Sequence, residues 1–145
     1  VKKLQDNGSR VSLFIDPVTA QIEAAKRIGA RAIELHTGSY AEEWQVAGGK
    51  WQENPANALV TCHLSLATAA KLAHSLGLEV HAGHGLNYEN VGAIAAIPEI
   101  IELNIGHFLM GEALFVGLAD SIKTMRKIMD AARSPDSRIL NPGSL

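Results

Sequence analysis

Short segments in which every second residue is apolar alternate along the chain with longer ones whose apolar residues recur every three or four positions. The short segments, residues 11–16, 32–37, 78–82 and 100–105, carry the period of two that marks strands. The longer ones, residues 17–28, 58–76, 87–97 and about 108–132, read as helices. Asn57 is placed to cap the second of them, Gly29 and Gly77 to close the first two, and Gly117 to break the last. Ile22, Ala25 and Ile28, and Ile122, Met125, Ile128 and Met129, form the stripes expected to face a core. Strand followed by helix, four times over, predicts a parallel sheet with right-handed crossovers. Residues 1–6 read as the end of a helix closed at Asn7-Gly8, as though the chain were the later part of something longer. Residues 41–56, a largely polar stretch that holds Trp44, Trp51, Gly48-Gly49 and Pro55, read as a long loop, either a lid or a docking surface for another subunit.

Successive side chains of a strand point to opposite faces. Ile33 and Leu35, Leu78 and Val80, and Ile101, Leu103 and Ile105 therefore share one face, and Glu34/His36, Glu79/His81 and Glu102/Asn104 the other. The three strands also end alike, in Glu34-Leu35-His36-Thr37-Gly38, Glu79-Val80-His81-Ala82-Gly83 and Glu102-Leu103-Asn104-Ile105-Gly106. A doubly wound sheet is covered by helices on both faces and its strands are apolar throughout. Strands that alternate apolar with Glu, His and Asn fit a barrel, with helices outside and substrate at the top. A closed (β/α)8 barrel takes roughly 250 residues, and this chain has 145. The expected fold class is α/β, a (β/α)8 TIM-type barrel to which this chain supplies about the last four βα units.

In such barrels the chemistry sits at the C-terminal ends of the strands, and the last two loops often hold a phosphate. Here those loops are Gly83-His84-Gly85 and Gly106-His107. Their glycines let main-chain N–H groups converge on an anion, and the helix starting near Phe108 adds its positive end, a phosphate cradle without Lys or Arg. Gly-His-Gly admits two readings: a tight turn with a surface histidine, or a site in which His84 gives and takes a proton near neutral pH. Glu34 is either a base or carbonyl-orienting group, or a lumen carboxylate hydrogen-bonded to a neighbouring strand. His36, His81 and the glutamates have the chemistry to bind a divalent metal at the barrel mouth, but their spacing does not separate that from a polar network. His63 and His74 fall within the long helix and read as packing or surface residues.

A formal net charge of −2 gives no basic field for nucleic acid or an anionic membrane, so an anionic ligand must be held by local geometry. Cys62 stands alone, which excludes a disulfide framework and a cysteine zinc cluster and fits a reduced, cytoplasmic setting. There is no run of about 18 apolar residues and no signal-type apolar core after Lys2-Lys3.

Four runs carry a family resemblance: Arg10-Val11-Ser12-Leu13-Phe14-Ile15-Asp16, Ile33-Glu34-Leu35-His36-Thr37-Gly38-Ser39-Tyr40-Ala41, Ala82-Gly83-His84-Gly85-Leu86-Asn87-Tyr88 and Glu102-Leu103-Asn104-Ile105-Gly106-His107. In this order they closely resemble pyridoxine 5′-phosphate synthases, over about residues 10–133. The resemblance implies a (β/α)8 barrel in which this chain holds the fifth to eighth strands. It implies condensation of 1-deoxy-D-xylulose 5-phosphate with 3-amino-2-oxopropyl phosphate, closing a pyridine ring with loss of inorganic phosphate and water. No metal and no organic cofactor is implied. His84 takes the place of the family's proton donor, Gly85, Gly106 and His107 the place of its phosphate contacts, and Glu34 a place in the same pocket. The family's other catalytic Glu and His, and its substrate-binding arginines, belong to the first four strands. The chain alone is therefore expected to be inactive, and the family tends to homo-oligomers. Residues 44–56 depart from the family pattern by their length, and residues 134–145 read as a flexible tail outside it. Two other readings share the cradle: another phosphosugar-handling barrel enzyme, although no strand here ends in a Schiff-base lysine, and a non-catalytic half-barrel that binds phosphate ligands.

Overall fold

Four short strands pair in parallel and in chain order, β1 (Ser12–Ile15), β2 (Ala32–His36), β3 (Glu79–Gly83) and β4 (Ile100–Asn104). The computed structural model describes residues 1–50 and 57–134. Between and around the strands lie α1 (Lys2–Asp6), α2 (Thr19–Arg27), α3 (Gly38–Val46), α4 (Ala58–Ser75), α5 (Val91–Ala95), α6 (His107–Val116) and α7 (Leu118–Arg133). A parallel sheet alternating with helices in this order is the arrangement of a partial (β/α) barrel.

The alternation along each strand sorts the two faces. Ile33, Leu35, Val80 and Ile100 are buried against Ile22 of α2, Leu59 and Leu66 of α4 and Ile94 of α5. Ala69, Ala70 and Ala73 put a small-residue stripe on α4, which lets its backbone come close to the sheet. Each fully buried Leu or Ile contributes about 1.5–3 kcal/mol to holding these layers together. The opposite face carries a row formed by Phe14, Glu34, His81 and Glu102 in register, and above it a row of His36, Gly83 and Asn104. Among the described residues no helix covers that face, and β1 and β4 each end the sheet with an unpaired edge.

Several expectations change in detail. Ile101 does not join Leu103 on the core face: the register shifts where Val80 pairs with Ile100 and His81 with Glu102, so Ile101 is the extra residue of a bulge and is 62% exposed. Ile28, at the C-cap of α2, and Ile122, on the flank of α7, are exposed; Ser121 and Met125 carry the buried face of α7 instead. Residues 41–46 are not a loop. They belong to α3, whose Tyr40 and Trp44, four apart, lie side by side with ring centroids 6.2 Å apart, while Glu42, Glu43 and Gln45 are good helix formers. The lid reading of Trp51 and its neighbours falls on residues 51–56, outside the described residues, as does the tail beyond Ser134. The helix read over 87–97 shortens to α5, because the Asn87 carboxamide accepts from the Glu89 and Asn90 amides and holds 87–90 as a turn. His63, read as a packing or surface residue, does pack: its Nε2 lies 3.1 Å from the Ala93 carbonyl, and burial lowers its pKa, so it stays neutral near pH 7.

The other boundaries agree closely, and their caps explain why. Gly117, at φ +84, separates α6 from α7, and the Asn57 side chain accepts from the Leu59 amide 2.9 Å away at the start of α4. Asn57→Ala is expected to lower stability by about 1 kcal/mol. Urea unfolding checks this: the midpoint should fall at an unchanged slope.

Candidate active site

The C-terminal ends of β2, β3 and β4 open into one cavity of about 660 Å³, whose lining includes Glu34, His84, Gly85, Asn104, Gly106 and His107. Glu34, His84, Gly85, Gly106 and His107 are therefore on its wall, whereas Gly83, His36 and His81 are not among the lining residues. Among the described residues no Lys or Arg lines it. What it offers an anion is main chain: α6 begins at His107 after a Gly106 N-cap with no side-chain cap, so the amides of its first turn stay open toward the cavity end of the helix.

The turn after β3 is the most constrained part of the wall. His84 has φ +86 and Gly85 φ +73, and His84 is the sole non-glycine residue at positive φ among the described residues. A side chain in that region costs energy and persists where its surroundings over-determine it. Thr37, fully buried, places its hydroxyl 2.7 Å from the Gly83 carbonyl and 2.5 Å from the His84 carbonyl. Asn90, also buried, donates from Nδ2 to the Gly85 carbonyl at 3.1 Å. Asn90 is itself fixed: Oδ1 accepts from the Asn87 amide at 2.8 Å, and its carbonyl accepts from the Tyr40 hydroxyl at 2.8 Å. Burial pushes the Tyr40 phenol far above its usual range, so the hydroxyl stays protonated and available as that donor. The His84 ring stands exposed beside His36, with centroids 4.7 Å apart. His36 in turn packs edge-on against Phe14, and its Nδ1 is 3.5 Å from Asp16 Oδ1.

Glu34 crosses the sheet. Its Oε2 accepts from Asn104 Nδ2 at 2.7 Å, a contact between β2 and β4 that passes over β3. It passes there because position 83 has no side chain: a Cβ on Gly83 would collide with Glu34 Oε1 and lie 2.8 Å from the Asn104 carbonyl oxygen. Glu34 is thus hydrogen-bonded to another strand as one reading expected, but to β4 and not to an adjacent strand, and its carboxylate stays on the cavity wall. Gly85 is similarly confined, a Cβ there falling 2.6 Å from that of Ala41, whereas a Cβ on Gly106 would meet nothing within 4 Å.

His81 does not join this group. It is buried in the row of Glu34, one below that of His36, with Arg10 Nη2 3.1 Å from its Nε2 and Glu102 Oε1 3.6 Å from its Nδ1, and Arg10 is paired with Glu79. A guanidinium only donates, so the imidazole nitrogen facing it takes the acceptor role. His36 and His81 thus serve different rows, and among the described residues no three His, Cys, Asp or Glu side chains converge as metal ligands. Thr37 and Asn90 were missed as parts of the site, although Thr37 stands inside the Glu34-to-Gly38 motif. Its alternation marks it only as a core-side residue, and the bond that matters is made to another strand.

A cavity at the C-terminal ends of parallel strands, walled by glycine turns and a helix start, with a histidine and a carboxylate facing it, defines a site of the (β/α)-barrel enzyme class. More narrowly, the chain belongs to the PdxJ family: the family model described as pyridoxal phosphate biosynthesis protein PdxJ matches residues 1–131. It is 56% identical over 137 residues to the pyridoxine 5′-phosphate synthase of Zymomonas mobilis subsp. mobilis, which covers 94% of this chain and 49% of that protein. It is 52% identical over 134 residues to that of Roseobacter denitrificans, covering 92% of this chain and 51% of the relative. With that of Caulobacter sp. (strain K31) the identity is 53% over 131 residues, 90% of this chain and 49% of the relative. The chain spans about half the length of the curated relatives it matches.

Proposed function

We propose that this chain supplies the second half of a pyridoxine 5′-phosphate synthase barrel, with residues 1–133 as its last four βα units and residues 134–145 as a tail. The activity is condensation of 1-deoxy-D-xylulose 5-phosphate with 3-amino-2-oxopropyl phosphate, releasing inorganic phosphate and water, in vitamin B6 biosynthesis. The observation that carries this is the convergence of Glu34, His84, Gly85, Gly106 and His107 on one cavity in a chain of this family. The open polar face and the two unpaired sheet edges fit a fold completed by four further strands. We place the enzyme in the cytoplasm, as a homo-oligomer, without metal, organic cofactor, nucleic-acid or membrane partner; among the described residues no helix is long and apolar enough to cross a membrane.

The chemistry divides between anchors and a proton carrier. Main-chain amides at Gly85 and at Gly106-His107 hold phosphate groups at the glycine turn and the α6 N-terminus, fixing the carbons that react. Imine formation, loss of water and ring closure each move protons, and His84, held on the wall with its ring free, is the group that gives and takes them. Glu34, pinned by Asn104, presents a fixed negative charge to the cation-like carbon centres that form along the way.

The test joins the first half of the Zymomonas mobilis relative ahead of Val1, giving a barrel-length chain, and assays pyridoxine 5′-phosphate formation beside the present chain alone. Product from the barrel-length chain only is the expected result. A folded barrel-length chain that binds inorganic phosphate but makes no product would replace this reading with that of a non-catalytic phosphate-binding barrel.

A further inference from the structure

We infer that Thr37 is a positioning residue for His84: its buried hydroxyl holds the turn after β3 in the left-handed conformation that aims the imidazole into the cavity. This rests on the reading of His84 as the proton carrier. Three consecutive carbonyls, those of Gly83, His84 and Gly85, turn away from the cavity, and each is taken by a buried side chain. The first two share the Thr37 hydroxyl, at 2.7 and 2.5 Å, and the third takes Asn90 Nδ2 at 3.1 Å. The main chain of Thr37 adds to the hold, its amide donating to the Gly83 carbonyl at 2.9 Å. A carbonyl bonded on the buried side fixes the plane of its peptide, and so fixes where the next N–H and the intervening side chain point.

His84 is where that hold is needed. A glycine would enter positive φ freely, but at +86° an imidazole-bearing residue relaxes toward the ordinary regions unless its peptides are tied. Relaxation would swing the ring off its place against His36 and change the direction of the Gly85 amide. Thr37 is not one of the residues that line the cavity, and its hydrogen bond to a lining residue, His84, is made through this turn. Its side chain is fully buried, and the hydroxyl adds the His84 carbonyl to the Gly83 carbonyl that the main-chain amide already holds.

The experiment uses the barrel-length chain and four changes: Thr37→Val, which keeps the volume and removes the hydroxyl, Thr37→Ser, which keeps the hydroxyl, His84→Ala, and Thr37→Val combined with His84→Ala. Thr37→Val is expected to lower kcat by about 10- to 100-fold, with Thr37→Ser within about threefold of the parent. In the His84→Ala background Thr37→Val should change kcat by less than about twofold, because the group it positions is gone. Equal losses from Thr37→Val in both backgrounds would overturn the proposal, and so would a Thr37→Ser variant as slow as Thr37→Val. If His84→Ala itself keeps full kcat, the reading of His84 fails, a result separate from any of these. Should Thr37→Val not fold, the serine variant and the His84 ring proton shifts in its NMR spectrum decide the matter: an unchanged environment with parent activity supports the proposal, and parent activity with a displaced ring overturns it.

Discussion

His84→Ala in the barrel-length chain is expected to lower kcat for pyridoxine 5′-phosphate formation by about 10²- to 10⁴-fold, the range that a positioned acid–base group supplies. KM for either phosphorylated substrate should change far less, because the anchors are main-chain amides that survive the substitution. The fold should survive too. The carbonyls at 83, 84 and 85 are held by Thr37 and Asn90, not by the imidazole, and the ring is exposed, so its loss leaves no core cavity. His84→Asn is the companion variant, since asparagine tolerates positive φ better than most residues. It should be as slow as the alanine variant while unfolding at the same urea concentration as the parent. Added imidazole, small enough for the space beside His36, should restore part of the rate to His84→Ala and none to His84→Asn. A His84→Ala variant with the parent's kcat would remove this residue from the chemistry and leave the turn as an anion site alone.

Much of this arrangement was legible in the sequence because it depends on local rules. The period of two put Glu34, His81 and Glu102 on one face, where they stand in register, and glycines at 29, 77 and 117 end or break helices where positive φ is needed. Gly83-His84-Gly85 and Gly106-His107 could be assigned to one site because parallel strands bring their C-terminal ends together whatever their separation in the chain. Reading failed where a tertiary contact overrides the local pattern. α3 looked polar and loop-like because Tyr40 is the residue that anchors it, through a bond to Asn90 fifty positions away. Ile101 looked buried because a bulge cannot be read from alternation that continues on both sides of it. His81 looked like a companion of His36 because the motifs match, yet it is one row lower, beside Arg10. Thr37 is the extreme case, since its role lies in carbonyls it meets only across the β2–β3 boundary.

Of the glycines at the strand ends, Gly83 and Gly106 should respond to alanine in opposite ways. Gly83→Ala inserts a methyl where Glu34 Oε1 already sits and 3.1 Å from the Asn104 Cβ. The backbone of β3 is paired on both sides and cannot retreat, so Glu34 must rotate away and its 2.7 Å bond with Asn104 is lost. The strain of such overpacking costs about 1–3 kcal/mol of stability. Displacing a charged group by the width of a methyl is expected to lower kcat about 100-fold. Glu34→Gln should lower kcat to a similar degree at nearly unchanged stability, because the amide fits the same space and loses only the charge. Gly106→Ala meets nothing within 4 Å, and its φ of −104° is open to any residue, so the fold should be unaffected. The added methyl instead stands at the start of α6, where the phosphate is placed, and KM should rise about tenfold with kcat nearly kept. Steady-state kinetics beside urea unfolding separate the two patterns. A Gly83→Ala chain with parent kcat would show that Glu34 need not stay where Asn104 holds it, and a Gly106→Ala chain with parent KM would move the phosphate away from α6.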